Sequence, residues 1–247
     1  MKYFQDTGNV NNVYTSFGDN AHTDIDFEML NVEEDTPKRQ DQTTLISPLI
    51  RNAFEHFRVF LDQNDQKIKF AYIVDLHDLQ EYENMHLANK LKSSHVHFKR
   101  QIMKVYLATQ LFSNSVANAI EICKDSLKMD IFKGSESTIE FLRIMNDLFD
   151  IINSCNLTSY KFKKALNPEN EYAILRFLDT AKKFIINLKL DDGSYVLKSR
   201  RKTGFLEFLI AIESLRNMYQ IVKEKKLLGN IFIVKLSCVY LINNLFP

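Results

Sequence analysis

Tryptophan is absent from the 247 residues, and glycine and proline are scarce, at six and four copies. With so few residues that interrupt helices, turns are sparse and helices should dominate. Cysteine is limited to Cys123, Cys155 and Cys238. Their wide spacing excludes a zinc pattern or a disulfide framework and points to a reducing compartment. There is no GxxxxGK[ST] loop and no GxGxxG turn, so nucleotide binding through a P-loop or a Rossmann turn has no support. The start, MKYFQDTGN, lacks the apolar core of a secretory signal. One apolar run, LLGNIFIVKLSCVYLINNLF at 227–246, approaches the roughly twenty residues of a membrane span. Lys235 and several asparagines interrupt it, and it reads as a buried helix or strand, with no membrane partner.

Neither sign of charge dominates: 32 basic and 31 acidic residues leave a net charge of +1. That excludes a wholly basic nucleic-acid-binding domain but not a local patch. Residues 1–45 hold nine acidic and three basic residues, and residues 181–235 hold twelve basic and five acidic. What the chain does have is phenylalanine, 19 copies, within a composition that is 45% hydrophobic and 26% charged. This is the balance of a globular protein with a sizeable core.

Residues 1–45 lack periodicity and read as a loop, a disordered segment or a divergent N-terminal piece. A first helix starts at Ser47-Pro48, where proline is tolerated. Leu49, Phe54, Phe57 and Phe60 share a face, and DQND at 62–65 ends it. IKFAYIVDLHDLQEYENM carries Ile68, Tyr72, Leu76, Leu79 and Met85 at helical spacing, with His77 and Asp78 on its polar side as surface groups. Residues 93–123 have no glycine or proline and read as one long helix, interrupted near Ser113–Ser115 by residues that compete for backbone bonds. FKGSES at 132–137 is a break, after which Ser137 and Glu140 match a capping box. The next helix turns Ile139, Leu142, Met145, Phe149 and Ile152 inward. A polar linker covers 153–170. A helix over 171–188 uses Tyr172, Leu175, Leu178 and Ile185, and DDG at 191–193 is a turn. Phe205, Phe208, Leu209, Ile212, Leu215 and Tyr219 recur at threes and fours over 203–219.

Few side chains stand out chemically. HVH at 95–97 places two histidines that do not face each other on a helix, with no third ligand nearby. Asp147 and Asp150 are one turn apart. Asp150, between Phe149 and Ile151, is expected to be half-buried and so to need a partner: a cap, a Lys or Arg, or a ligand hydroxyl or amine. SRRK at 199–202 precedes the 203–219 helix. Basic residues there oppose the helix dipole, so they serve phosphate, an acidic helix or only water. Thr203 can cap that helix, and Gly204 permits a close backbone approach.

LIRNAF (49–54), HLANKLKSSHVHFKRQIMKVYLATQLFSNSVANAI (86–120), FKGSESTIEFLRIMNDLFDIINS (132–154) and SRRKTGFLEFLIAIESL (199–215) together resemble P-element-type DNA transposases, the family that in many animals carries an N-terminal THAP zinc finger. The resemblance runs over about 49–220. It implies a mainly α fold: the helical, GTP-binding insertion domain of a split RNase H-like transposase, with a fragmentary N-terminal piece. Residues 46–84 would be the remnant of the RNase H-like part and the helix leading out of it, and 85–247 the insertion domain, truncated at its C-terminal end. The family cuts and joins DNA ends with three acidic residues and divalent metal, Mg²⁺ being implied, and uses GTP as an assembly cofactor.

The departures bear on activity. Where the family has an Asp followed three residues on by a His, this chain has Gln42 and Leu45, with Asp41 one residue away. No strand carrying the first Asp is evident in 1–40, and the closing Glu is expected beyond Pro247. A two-metal site needs all its ligands together, so no catalytic or metal-binding residue is assigned and cleavage is not expected. The resemblance further implies Lys90, Lys104, Ser113, Asn146 and Asp150 as GTP contacts, and Arg200, Arg201 and Lys202 as DNA contacts. It implies nuclear localisation and self-association of the full-length family. The alternatives are a non-catalytic nuclear DNA-binding or protein-interaction module and, less well matched because of Lys235, a helical protein held at a membrane by its tail.

Overall fold

The computed structural model describes residues 46–154 and 158–225, with Arg100 described for its backbone alone. The expectations for 1–45, including Gln42 and Leu45, for Cys155 and Cys238, and for the apolar run at 227–246 lie outside these residues.

Helix α1 (Ile46–Phe57) buries Ile46, Ile50, Ala53 and Phe54, and with them Arg51. It stops at Arg58, whose φ of 64° turns the chain back. The amide of Arg58 donates to the Phe54 carbonyl at 2.9 Å, and its own carbonyl accepts from Phe70 at 2.9 Å. The reversal starts a hairpin that the sequence pattern did not reveal: β1 (Val59–Leu61) pairs antiparallel with β2 (Lys67–Lys69), Phe60 opposite Ile68. Phe60 and Ile68 therefore lie on strands, not on the helices expected for them. DQND is the hairpin turn, not a helix end. Asp62 Oδ1 accepts the amides of Asn64 and Gln66, each at 2.8 Å. Its Oδ2 accepts the hydroxyl of Ser137 at 2.9 Å.

Helix α2 (Ala71–Glu83) follows, closed by Asn84 in the left-handed region, a conformation asparagine tolerates. His77 is buried in it, with Nδ1 2.9 Å from Asp78 Oδ1, so the expectation of a surface histidine was wrong. Residues 93–123 form α3 (Ser93–Val96), a tight turn over Lys99–Gln101, α4 (Val105–Leu111) and α5 (Asn114–Glu121), which runs into a wider π turn. The break at Ser113 was expected. The one at 97–104 was not, and its cause is tertiary. Arg51 donates from Nη2 to the carbonyls of Gln101 at 3.2 Å and Ile102 at 2.7 Å, and its guanidinium lies 3.9 Å from the centre of the Phe98 ring. An arginine thus takes carbonyls that a continuous helix would have used internally.

Helix α6 (Glu136–Ile152) begins one residue after Ser135. The Ser137–Glu140 capping box does not form, because Ser137 already lies inside the helix and is committed to Asp62. Leu148 is buried where Phe149 was expected, and Phe149 is half-buried. After α7 (Glu171–Asn187), where Tyr172 is 76% exposed rather than inward, β3 (Lys189–Leu190) returns to β1. The sheet order is β2-β1-β3, with Phe60 opposite Leu190. Gly193 at φ 80° makes the expected DDG turn. Helix α8 (Thr203–Glu224) closes the described chain. The cap position is Lys202, whose side chain makes no cap bond, and Thr203 is already the first helical residue, so Thr203 does not cap. Gly204 does permit a close approach: a Cβ there would sit 2.9 Å from Leu49 Cβ and from Ile50 Cγ1.

Phenylalanine fills the core in place of tryptophan. The Phe54 ring centre lies 5.2 Å from Phe60, 5.3 Å from Phe70 and 5.1 Å from Phe141. Phe141 also meets Phe112 at 5.9 Å and Phe184 at 6.3 Å, and Phe60 meets Phe205 at 5.7 Å. Such pairs contribute about 0.5–1.5 kcal/mol each beyond the area they bury. Ion pairs knit α7 to α8: Lys182 to Glu213, Arg216 to Asp179, and Glu171 to Lys223. Among the described residues, no helix is long and apolar enough to cross a membrane.

Candidate nucleotide-binding site

The start of α5 lies against the middle of α6. Ser113 is extended and ends the preceding helix, its hydroxyl donating to the Gln110 carbonyl at 2.7 Å. This leaves the first amides of α5 without helical partners, and one of them, Asn114 N–H, points at Asn146 Oδ1 at 3.4 Å. The Asn146 amide donates to Asp147 Oδ1 at 2.9 Å and to Asp150 Oδ2 at 3.2 Å. Asn114 Nδ2 also reaches Asp147 Oδ1 at 3.4 Å. Helical spacing explains the Asn146–Asp150 pair, since residues four apart share a face.

Asp150 is half-buried as expected. Burial, first, and the neighbouring Asp147 push its carboxyl above the usual range, while Lys163 and the Asn146 amide pull it back. The arrangement offers a carboxylate and an adjacent amide, a set that can both accept and donate to a planar ring edge. Beside it, Glu121, Arg143, Ile144, Asp147 and Phe177 line a cleft of about 320 Å³. Arg143 is held there by Glu121 at 2.6 Å and Asn118 at 3.0 Å.

Of the five residues expected to touch nucleotide, Ser113, Asn146 and Asp150 come together. Lys90 is exposed in the loop before α3. Lys104 stands at the start of α4 with its ammonium 5.9 Å from the Tyr106 ring, in an open groove shared with Ile102 and Met103. Neither lysine is among the residues that meet Asn146 and Asp150. Asn114 and Lys163 were missed. An asparagine directly after the Ser113 break was a readable signal for the first. Lys163 lies in the 153–170 segment, and only the fold brings it near Asp150. Arg200, Arg201 and Lys202 are all exposed ahead of α8. His95 is buried, with Nε2 2.9 Å from Gln110 Oε1 and Nδ1 accepting the Lys92 amide at 3.0 Å. Among the described residues, no cluster of His, Cys, Asp or Glu could hold a metal ion.

Within this mainly helical chain, residues 47–165 match the TNP-like, GTP-binding insertion domain. The chain is a homologue of the P-element and THAP9-type transposases. It is 38% identical over 172 residues to the human DNA transposase THAP9, a match spanning 70% of this chain and 19% of that protein. It is 38% identical over 104 residues to the Transposable element P transposase of Drosophila melanogaster, covering 36% and 14% of the two chains. The solved Drosophila P element transposase strand transfer complex aligns with a TM-score of 0.65 at 25% identity, over 78% of this chain and 42% of that one. The chain thus spans less than a fifth of the length of these curated relatives.

Proposed function

We propose that this chain is a nuclear, P-element-type transposase insertion domain that binds GTP and contacts DNA without cutting it. The observation that carries the nucleotide half is the Asn146–Asp150 pair beside the start of α5. Ionised Asp150 can accept from both N1–H and the 2-amino group of guanine, which adenine does not offer together, and the Asn146 amide can turn to the guanine oxygen. The residues therefore fit the base. Lys90 and Lys104 would supply point charges for the phosphates, with Ser113 near the phosphates. Mg²⁺ would accompany the phosphates as it does other nucleotides. Arg200, Arg201 and Lys202 are the proposed DNA contacts, and self-association is expected of the full-length protein. With Gln42 in place of the family's Asp, no cleavage step is assigned.

Calorimetric titration of the 247-residue chain with GTP and Mg²⁺, with ATP as control, tests this. Guanine-selective heat that disappears in Asp150→Ala is the expected result. Lys90→Ala and Lys104→Ala should weaken GTP while leaving guanine selectivity intact. No heat from well-folded protein would overturn the nucleotide reading.

A further inference from the structure

Arg51 is fully buried, and among the described residues no carboxylate pairs with it. Its Nε and Nη1 have no partner. Burial lowers its pKa to about 10, so the guanidinium stays charged at neutral pH. Two backbone carbonyls and the Phe98 ring compensate it only in part, and the field of a buried cation is only weakly screened. Directly over the Arg51-bound turn lies a cleft of about 680 Å³ whose lining includes His56, Arg58, His97, Lys99 and Arg201. These come from three distant stretches: the end of α1, the turn that Arg51 holds, and the loop before α8. The lining carboxylate, Glu55, is occupied by Arg58 at 3.0 Å. Both imidazoles can donate a hydrogen bond whether or not they are charged.

Arg58 adds an independent sign. It holds φ at 64°, where glycine or asparagine would be at ease and most residues are strained. Its guanidinium pairs with Glu55 through Nη2 at 3.0 Å, and with the side chain 61% exposed in the cleft its remaining N–H groups can still reach a phosphate. Arg200 and Lys202, on either side of Arg201 in the chain, are exposed.

We propose that this cleft seats backbone phosphates of DNA, with Arg58, Lys99 and Arg201 as direct contacts and buried Arg51 as a positioning residue that fixes the wall and adds its charge. The proposal rests on the reading that the chain contacts DNA and extends that contact beyond residues 200–202.

The test is fluorescence anisotropy of a labelled DNA duplex with the full chain, over a salt series, for wild type, Arg58→Gly, Lys99→Ala and Arg200→Ala/Arg201→Ala/Lys202→Ala. Each lost phosphate contact should reduce the slope of log affinity against log salt by about 1. Arg58→Gly and Lys99→Ala should each show this and weaken binding several-fold. Arg58→Gly relieves the left-handed strain, so its melting temperature should stay level or rise, which separates binding from folding. Unchanged affinity and slope in both cleft variants, with loss only in the 200–202 variant, would overturn the cleft and keep the DNA reading. No duplex binding even at low salt would overturn both, while the GTP titration stands apart. Displacement of the duplex by polyglutamate at matched charge, with equal affinity, would reassign the cleft to an acidic protein segment and overturn the proposal.

Discussion

Substituting Gly204 with alanine probes how closely α8 sits on α1. In an open helix the change would stabilise, by up to about 1 kcal/mol from helix propensity. Here the new methyl would lie 2.9 Å from Leu49 Cβ, 2.9 Å from Ile50 Cγ1 and 3.0 Å from the Ile50 backbone nitrogen. A side-chain tip could swing aside, but a Cβ and a backbone nitrogen cannot, so the helices must separate by several tenths of an ångström. Overpacking of this kind costs about 1–3 kcal/mol. Set against the propensity gain, the net expectation is a loss of roughly 1–2 kcal/mol. Urea unfolding followed by circular dichroism would show it as a lower midpoint with an unchanged slope. Gly193→Ala is the control. Nothing lies within 4 Å of its added Cβ, but φ is 80°, so its loss of about 1 kcal/mol arises from strain alone, and Gly193→Asn should recover part of it. A Gly204→Ala protein as stable as wild type would refute the argued contact and, with it, the placing of Arg201 at the rim of the basic cleft.

Phe141→Ala should cost about 3–5 kcal/mol, because its ring meets four other phenylalanines; thermal melting would test this. Tyr219 is pushed up to about 12 by burial and by its hydrogen bond to Glu171. A folded value above the unfolded one of about 10 means stability that is complete below pH 10 and is lost as pH rises toward 12. The pH dependence of unfolding should flatten there in Tyr219→Phe. The raised carboxyl of Asp150 has the same sign: its contribution is greatest at low pH and falls away as pH rises through the folded value. Asp150→Asn should therefore match or exceed wild type in stability at pH 7, measured by urea midpoint, while losing guanine selectivity.

The long periodic helices were legible because burial on one side imposes the spacing: α6 and α7 were read nearly to their ends, while α8 was read from its start only to Tyr219, short of its end at Glu224. The hairpin was not, since three-residue strands are too short to show alternation, and Phe60 continued the helical spacing of Phe54 and Phe57. The break at 97–104 escaped notice because its cause, the Arg51 side chain, is supplied from about fifty positions earlier. At the candidate site, helical spacing drew attention to Asp147 and Asp150, while Asn146 came only from the family resemblance. Their meeting with Asn114 and Lys163 depends on how α5 and the 161–163 turn are packed. The basic cleft was less visible still: of its three stretches only SRRK stands out in the sequence, and nothing in LIRNAF marks Arg51 as the residue that holds the others together.

The order of the sheet sets a timetable for synthesis. Strand β1 is central, yet its second neighbour arrives late: Lys189, which also reaches Asp65 at 2.7 Å, is separated from that residue by 124 positions. At about 5–20 residues per second of translation, the ribosome takes roughly 6–25 s to deliver β3 after the hairpin has emerged. For that interval β1 presents an open edge, with Phe60 lacking the cover later given by Leu190 and Phe205. Unpaired edges of this sort invite association with other chains. A nascent chain halted before residue 189 would be caught in that exposed state, so the yield of soluble protein should depend on how quickly the ribosome traverses the middle of the message.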